Sequence, residues 1–245
     1  MKPFLILQLR PETDAADGEF AAFLDKGGLT AKDCHRIRLD QTDLPSDTDL
    51  SRYSGVIVGG GPGCVSDDPA TKDPTEARIE AQILSLMPDI TARDIPFMGC
   101  CYGIGILAHH LGARVAKGRF GEPVGVSRCR ITDDGRGDPL LADLPDDFGA
   151  FVGHKEAAEE LPQGCVQLLA SDPCPMQMIR YGQNVYATQF HPEADGAGFA
   201  DRIAIYRNHG YFPPDEIEDL MQSCRDADVF VPEIILRRFV DRYRR

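Results

Sequence analysis

The sequence predicts an α/β fold in which a doubly wound, mainly parallel sheet is flanked by helices. The first observation is a continuous apolar run at residues 3–9, which is typical of a central parallel strand. The second is an alternation of strand and helix patterns over the first 112 residues. The third is a turn rich in small residues at 99–103, placed between a strand pattern and a helix pattern.

The elements of this first part follow one another in the order that such a sheet requires. Strands are predicted over residues 3–9, 34–39, 55–58 and 95–98. Helices are predicted over residues 19–26, 74–87 and 102–111. The second helix has the clearest start, because Asp73 can cap it, Pro74 suits its first position and Glu76 lies three residues after the cap.

The pattern changes after residue 112. Short β-like runs separated by turn residues occupy residues 124–131, 150–152, 166–170, 176–180 and 185–189. Helical patterns return over residues 199–209, from Pro213-Pro214-Asp215 onwards, and over residues 232–243. We therefore predict one domain over residues 1–210 and a helical C-terminal extension, residues 211–245, packed on the same domain.

The composition excludes several classes of protein. A formal net charge of −13 disfavours a non-specific phosphate-binding surface, so we expect no nucleic-acid partner. No apolar run approaches the roughly 20 residues that cross a bilayer, so we expect no membrane contact. The eight cysteines are scattered over 245 residues without a signal peptide, which indicates reduced thiols and not a disulfide framework. We expect a cytoplasmic protein.

The turn Gly99-Cys100-Cys101-Tyr102-Gly103 has the composition of a nucleophile elbow. Such a turn needs small residues two before and two after the nucleophile, because bulkier side chains would collide with neighbouring backbone. The glycines therefore select Cys101 as the nucleophile and direct Cys100 toward the core. The following helix begins at this point, and its free N–H groups and dipole favour a thiolate.

A cysteine nucleophile needs a base, and the base needs an orienting partner. Both are predicted in the segment Phe190-His191-Pro192-Glu193, where Pro192 holds the backbone extended. His191 would take the thiol proton, and Glu193 would fix the tautomer of His191. The oxyanion also needs donors, and we predict the backbone N–H groups of Gly61 and Tyr102.

Together these motifs resemble the class I glutamine amidotransferases, also called triad or Cys-His-Glu amidotransferases. The resemblance is carried by Gly60-Gly61-Pro62, by Gly99, Cys101 and Gly103, and by residues 190–193, in that order. Residues 153–156 also resemble a loop of this family, and the similarity is greatest to glutaminase domains of the GMP synthase kind. The resemblance implies a flavodoxin-like sheet and a glutamine amidotransferase type 1 domain over residues 1–210. It also implies hydrolysis of a γ-glutamyl amide through a Cys thioester, with release of ammonia.

One position departs from the family pattern. Gly105 stands where the family usually has a glutamine that helps to hold the substrate. The resemblance places Gly60, Gly105 and His154 around the substrate, which would be glutamine or another small γ-glutamyl compound. A glycine at 105 leaves room beside Cys101 for a larger γ-glutamyl substrate. We therefore expect either a substrate other than free glutamine or a separate synthetase or acceptor subunit that completes the site.

Simpler interpretations of the same residues remain. Cys101 could be an ordinary core cysteine, or could pair with Cys100 in a strained vicinal disulfide. Residues 59–63 could form a phosphate loop, although they lack its Lys-Ser/Thr pair. His154 could merely satisfy a turn. The cysteine pair and the histidines at 109–110 lack the spacing of metal ligands, so we predict neither a metal nor a cofactor.

Three functions are compatible with this set of residues. The first is a glutaminase that passes ammonia to a separate protein chain. The second is a stand-alone hydrolase of γ-glutamyl compounds that uses the same chemistry. The third is a non-catalytic module for partner binding or regulation that has kept the fold. The complete Cys-His-Glu set disfavours the third function, whereas Gly105 and the lack of a recognisable synthetase domain keep it open.

Overall fold

The computed structural model describes residues 2–208, 212 and 215–245, and these contain one mixed sheet. Its nine strands, in chain order, are β1 (Phe4–Gln8), β2 (Cys34–Arg38), β3 (Val56–Val58), β4 (Phe97–Cys100), β5 (Val115–Ile131), β6 (Asp147–Ala158), β7 (Cys165–Ala170), β8 (Met178–Tyr181) and β9 (Val185–Thr188). Their order across the sheet is β2-β1-β3-β4-β9-β8-β7-β5-β6.

The first five strands in this order are parallel. Leu5 pairs with Val56, Val56 pairs with Phe97, and Phe97 pairs with Val185, so the strands are closely in register. The carboxyl ends of β1, β3, β4 and β9 therefore meet at one edge of the sheet, which is where ligands bind in folds of this type. The segments that follow β3, β4 and β9 carry all of the predicted site residues except His154, which lies on β6.

The other four strands are antiparallel to their neighbours. Most of this half is the long hairpin of β5 and β6, whose register shifts twice, on either side of Glu122. Such irregularities bend a strand and redirect its side chains. Glu122 faces His154 across the hairpin at this bend. The hairpin thereby adds polar side chains to the edge at which the parallel strands end.

Six α-helices complete the described part of the chain: α1 (Thr13–Gly27), α2 (Pro74–Ala92), α3 (Tyr102–His110), α4 (Gly196–Tyr206), α5 (Ile217–Asp226) and α6 (Val231–Tyr243). Alternate residues of β1 point to opposite faces, as a strand requires. Phe4 and Ile6 share a core with residues of α1 and α6, whereas Leu5 and Leu7 share one with residues of α2 and α3. Helices thus cover both faces, and the predicted fold class is confirmed.

Several predicted bounds differ from the structure. Helix α1 begins at Thr13, six residues before its predicted start, and α2 continues past Pro88 to Ala92. A proline inside a helix removes one backbone hydrogen bond, but Ile90 in the following turn is fully buried and holds that turn on the core. Strand β5 begins at Val115, nine residues before its prediction.

The C-terminal prediction is tested only in part by these residues. The boundary at residues 210 and 211 lies outside the described residues, as do His209, Pro213 and Pro214. Helix α6 packs on the sheet beside α1, with the rings of Phe4 and Phe239 6.3 Å apart between their centroids. Within the described residues, no helix has the length and apolar character that a membrane crossing needs.

The tight packing of the elbow gives a stability prediction. A Cβ atom added at Gly99 would lie 2.9 Å from the backbone of Gly103, which cannot move aside. We expect Gly99→Ala to lower the free energy of unfolding by about 1–3 kcal/mol, measured by urea denaturation. Gly18 in α1 is the matched control, because a Cβ there would meet nothing within 4 Å. Gly18→Ala should be neutral or stabilising by up to about 1 kcal/mol. Equal effects at the two positions would contradict this account of the turn.

Candidate active site

Cys101 occupies a backbone conformation that few residues other than glycine adopt. Its φ is 53° and its ψ is −89°, and it lies between the last residue of β4 and the first residue of α3. The Cys101 N–H donates to the carbonyl oxygen of Thr188 at 2.8 Å, which ties the turn to the end of β9. Cys100, by contrast, is fully buried in the core. The structure therefore presents Cys101 and not Cys100 at the sheet edge.

His191 and Glu193 lie close together just beyond β9. The His191 Nδ1 atom is 2.9 Å from Glu193 Oε1, and both side chains are almost fully buried. Because an ionised carboxylate can only accept a hydrogen bond, Nδ1 carries the ring proton and donates it to Glu193. The Nε2 atom is then left unprotonated and can accept a proton, as the sequence predicts for His191.

Arg202 of α4 is a third member of this group. Its Nη2 atom donates to Glu193 Oε1 at 3.2 Å, and its Nη1 atom lies 3.2 Å from His191 Nδ1. Burial acts to raise the pKa of Glu193, but contacts with His191 and Arg202 hold it down at about 2. Glu193 is consequently ionised at neutral pH, as its hydrogen bond to His191 requires.

His191 and Cys101 are both neutral in the resting site. Burial lowers the pKa of His191 below its ordinary value, although Glu193 acts in the opposite direction. Burial raises the pKa of the Cys101 thiol to about 12, against the lowering effect of Arg10. Burial of the Cys101 thiol therefore opposes its ionisation more strongly than the nearby charges favour it. A protonated thiol must lose its proton during attack, and the neutral imidazole of His191 lines the same cavity as Cys101.

The glycine loop after β3 packs against buried charges. Glu19 of α1 accepts from the Gly60 N–H at 3.2 Å and from Arg10 Nε at 2.9 Å. A Cβ at Gly60 would lie 2.6 Å from the His191 ring and 2.8 Å from Arg10 Nη2, so only glycine fits there. Since its N–H is already used by Glu19, Gly60 shapes the loop and offers no donor to a substrate. Glycines at this point thus bring the loop next to His191.

The two predicted oxyanion donors lie beside Cys101. Gly61 and Tyr102 both line a cavity that Cys101 also lines. As the first residue of α3, Tyr102 has no partner for its N–H within the helix. Among the described residues, the Gly61 N–H likewise has no acceptor. Both N–H groups are therefore available to an oxygen atom in the cavity.

Two adjoining cavities meet at Cys101. The first, of about 170 Å³, we call the acidic cavity; its walls include Cys101, Tyr102, Gly105, Glu122, His154 and Glu156, with Lys155 the one basic side chain among its described lining residues. The second, of about 100 Å³, we call the arginine cavity; its walls include Arg10, Cys101, His191, Phe199, Arg202 and Tyr206. His191 lines only the arginine cavity, whereas Tyr102 and Gly105 line only the acidic cavity.

Gly105 lines the acidic cavity next to a buried carboxylate. A Cβ added there would lie 3.2 Å from Glu156 Oε1 and 3.4 Å from Val65 Cγ2. The Glu156 carboxylate is held in place by the N–H groups of Val65 and Ser66, each at 2.8 Å, and by the Ser66 hydroxyl at 2.6 Å. The expectation of room for a larger substrate at this point stays a prediction, since Gly105 lines the cavity and Glu156 borders it on one side.

His154 lines the acidic cavity, but both of its ring nitrogens have partners in the protein. Nδ1 lies 2.8 Å from the Glu156 carbonyl oxygen, and Nε2 lies 2.9 Å from Glu122 Oε2. Glu122 also accepts from Ser127 and from Gln177. His154 is thus part of the cavity wall. Its two hydrogen bonds resemble the simpler interpretation from the sequence, in which it satisfies a turn.

One group in the described residues has the composition of a metal site. Candidate ligand atoms of Glu122, His154 and Cys174 lie within 4.8 Å of one another, and all three residues are buried. Sequence spacing did not indicate this group, because its members come from three different strands or loops. Two of them already hydrogen-bond to each other. The group therefore acts as a hydrogen-bond network in this structure.

Comparison with known proteins identifies the family. The family model described as "Glutamine amidotransferase class-I" matches residues 25–212, which is most of the chain. The chain belongs to the class I glutamine amidotransferase family. In this class I amidotransferase, the motif residues Gly61, Pro62 and Cys101 line both cavities and His191 lines the arginine cavity.

Individual relatives agree with this membership. The chain is 31% identical over 155 residues to the glutamine-hydrolysing GMP synthase of Thermosipho africanus, and the match covers 61% of this chain but 26% of that protein. It is 28% identical over 155 residues to a Haloarcula marismortui protein named as one subunit of the glutamine-hydrolysing GMP synthase, over 63% of this chain and 70% of that one. The chain thus spans about a quarter of the length of the first relative.

Solved structures show the same fold. A glutamine amidotransferase from Thermotoga maritima superposes with a TM-score of 0.75 at 21% identity, over 98% of this chain and 97% of that one. A glutamine amidotransferase from Methylobacillus flagellatus gives a TM-score of 0.73, also at 21% identity, over 100% of this chain and 96% of that one. At this level of identity, the likeness concerns the fold.

The sequence did not single out four charged residues of this amidotransferase site: Arg10, Glu19, Glu156 and Arg202. Arg10 lies just beyond the carboxyl end of β1, and residues at such strand ends line sites in α/β sheets. The position of Arg10 directly after a predicted strand could therefore have identified it from the sequence. Glu19 and Glu156 depend on contacts between distant segments, since they meet Gly60 and Ser66 across 41 and 90 residues of chain, whereas Arg202 meets Glu193 across 9.

The buried carboxylate of the amidotransferase site predicts a pH dependence of stability. The pKa of Glu193 is about 2 in the folded protein, against an ordinary value of 4.5. The unfolded chain therefore binds this proton first, so the stabilisation is present above about pH 4.5 and is lost as the pH falls toward 2. The loss is on the order of 3 kcal/mol.

The test compares wild type with Glu193→Gln by urea denaturation at several pH values between 2 and 6. The wild-type free energy of unfolding should fall more steeply with acid than that of the variant, which lacks the titrating group. Parallel curves for the two proteins would contradict the assignment of Glu193 as a buried, ionised carboxylate.

Proposed function

We propose that the chain hydrolyses a γ-glutamyl amide through a thioester on Cys101. The Cys101 Sγ atom attacks the γ-carbonyl carbon, and its proton passes to His191 Nε2. The C–N bond then breaks as His191 returns that proton to the departing nitrogen. Water hydrolyses the thioester, giving glutamate and the free thiol. With glutamine as substrate, the departing group is ammonia.

The resting charges fit this sequence of proton transfers. Neutral His191 can accept the thiol proton, and ionised Glu193 stabilises the imidazolium that results. A thiol with a raised pKa does not ionise by itself, so attack and proton transfer belong to one step. We assign Glu193 an orienting role, in which it does not carry a proton itself.

The negative charge that develops on the carbonyl oxygen also has partners. The free N–H groups of Gly61 and Tyr102 border the acidic cavity on the Cys101 side. Removing a single oxyanion donor typically costs an enzyme about 10²- to 10³-fold in kcat. These two backbone donors are the oxyanion hole of the proposed mechanism, in agreement with the expectation from sequence.

The glutamyl part of the substrate belongs in the acidic cavity. That cavity contains the oxyanion donors, which must contact the γ-carbonyl. It also contains Glu156, whose fixed carboxylate is complementary to the α-ammonium group of a glutamyl substrate, and Lys155, whose charge is complementary to its α-carboxylate. Glu156 thus replaces, with a charged group, the amide side chain that Gly105 lacks.

One observation carries the proposal most directly. Cys101 adopts a left-handed backbone conformation at the start of a helix, and it shares a cavity with a histidine whose other nitrogen is held by a buried carboxylate. Strained residues of this kind cluster at active sites, where the surrounding structure maintains them. A protein that only bound partners would need neither the strain nor the buried charge.

Membership in the amidotransferase family and the relatives named as GMP synthases support glutamine as the first substrate to test. The name of the Haloarcula relative describes one part of a larger enzyme, which supports a separate synthetase chain as the recipient of ammonia. A partner of that kind would contact this chain near the arginine cavity, since the nitrogen departs on the His191 side.

The assignment of the nucleophile can be tested with two neighbouring cysteines. We expect Cys101→Ala to lower glutamine hydrolysis, followed as glutamate and ammonia release, by at least about 10³-fold. Cys100→Ala is the matched control and should keep most of the activity, because Cys100 lies in the core. A glutamine-mimicking chloroketone should modify Cys101 alone. Mass spectrometry that places the adduct on Cys100 would show the elbow to be misassigned.

A second experiment tests the role of Gly105. A Cβ atom at this position would already lie 3.2 Å from Glu156 Oε1, so we expect Gly105→Gln to displace that carboxylate and to lower kcat/KM for glutamine by about tenfold or more. Gly105→Ala, which adds only the tight Cβ contact, should have a smaller effect. An increase in kcat/KM for Gly105→Gln would show instead that the position is a vacancy and that Glu156 does not fill it.

A further inference from the structure

The position of His191 determines where the departing group lies. In the proposed mechanism, on which this inference rests, His191 gives a proton to the departing nitrogen. His191 lines the arginine cavity and not the acidic cavity. The glutamyl part and the departing amine therefore lie in different cavities, which adjoin at Cys101. Ammonia alone would leave the arginine cavity, of about 100 Å³, largely unused.

The charges of the arginine cavity select a class of amine. Arg10 and Arg202 both line it, while Glu19 and Glu193, the carboxylates that pair with them, are not among its described lining residues. Arg10 uses Nε for Glu19 and Nη1 for Tyr206, so within the described residues its Nη2 atom has no hydrogen-bond partner. Guanidinium groups arranged in this way favour an anionic acceptor such as a carboxylate.

The remaining walls of this cavity are apolar or aromatic. Phe199, Ile203 and Tyr206 line it, and all three are buried. The Arg10 guanidinium lies 5.8 Å from the Tyr206 ring centroid, and that of Arg202 lies 5.6 Å from the Phe199 ring centroid. Aromatic faces hold the cations in position and provide apolar surface next to them.

We propose that the arginine cavity is a binding site for a departing amine that carries a carboxylate and an apolar side chain. The substrates of this chain would then be γ-glutamyl amino acids. Hydrolysis breaks the γ-amide C–N bond, the nitrogen receives its proton from His191, and water supplies the hydroxyl of the released glutamate. The products are glutamate and a free apolar amino acid.

A matched pair of substrates tests the carboxylate directly. γ-Glutamyl-leucine and γ-glutamyl-isopentylamide have the same apolar side chain and differ only in the carboxylate of the departing amine. We expect kcat/KM to be about 10- to 100-fold higher for γ-glutamyl-leucine, because a charged hydrogen bond is made only with that substrate. Equal values, or a preference for the isopentylamide, would overturn the proposal.

Binding to an inactive protein separates this proposal from the proposed function. Calorimetry on Cys101→Ala should show tighter binding of γ-glutamyl-leucine than of γ-glutamyl-isopentylamide, by a similar factor. Discrimination in binding without turnover by wild type would contradict the hydrolytic function but support the anion site. Turnover of both substrates without discrimination between them would support the hydrolytic function but contradict the anion site. An absence of both binding and turnover would contradict both proposals.

Paired variants locate the effect. Removing the buried ion pair as a unit, in Arg10→Met/Glu19→Gln, avoids leaving an unpaired buried charge. The ratio of kcat/KM for the two substrates should fall toward one in this double variant. Arg180→Met/Asp138→Asn removes a comparable ion pair, 2.6 Å long, that lines neither cavity, and should leave the ratio unchanged. An unchanged ratio in the Arg10 variant would exclude Arg10 from carboxylate recognition. The wild-type comparison of the two substrates stands even where a double variant does not fold.

Discussion

The strained backbone of Cys101 is the constraint on which the site depends. A non-glycine residue with positive φ costs about 1–3 kcal/mol, and it persists only where the surrounding structure maintains it. Here the hydrogen bond from the Cys101 N–H to Thr188 joins the turn to β9, and the close contact between Gly99 and Gly103 leaves no space for relaxation. The pairing of β4 with β9 therefore determines both the direction of the thiol and its distance from the segment that carries His191.

Cys101 lies where the acidic cavity and the arginine cavity meet, and the two cavities differ in the charges of their walls. The hairpin of β5 and β6 contributes Glu122 and Glu156 on one side, while the segment after β1 and helix α4 contribute Arg10 and Arg202 on the other. The chain as a whole has a net charge of −13. The arginine cavity differs from this overall charge, because its described lining residues include Arg10 and Arg202 and no carboxylate. The residues that would recognise the substrate consequently lie on other elements than the Cys101 turn. Substrate recognition can therefore change while the bond-cleaving turn stays constant.

Sequence reasoning succeeded where the structural cause is local. Gly99 and Gly103 are required by steric contacts within a few residues, and Pro192 restricts its own backbone, so both patterns are visible in a short segment. Strand β5 was predicted to begin too late, because residues 115–123 contain Gly118, Gly121 and Pro123 and lack an alternating apolar pattern. They form a strand only because β6 pairs with them.

The rest of the site depends on contacts between distant segments. The hydrogen bond of Arg10 to Tyr206 spans 196 residues, and no periodicity in the sequence indicates it. The pKa of the Cys101 thiol likewise depends on burial by the surrounding elements, which raises it. The roles proposed for Cys101, His191 and Glu193 stay predictions.

The buried carboxylate of Glu19 has a consequence for the motions of the chain. Its partners come from three places: Gln8 at the end of β1, Arg10 just beyond it, and the Gly60 N–H in the loop after β3. If that loop opened alone, a buried anion would lose one of its donors and its protection from water at the same moment. Opening of the loop is thereby coupled to unfolding of the first strand and helix. The loop should exchange its amide hydrogens as part of one cooperative unit with them, unlike an ordinary glycine-rich surface loop.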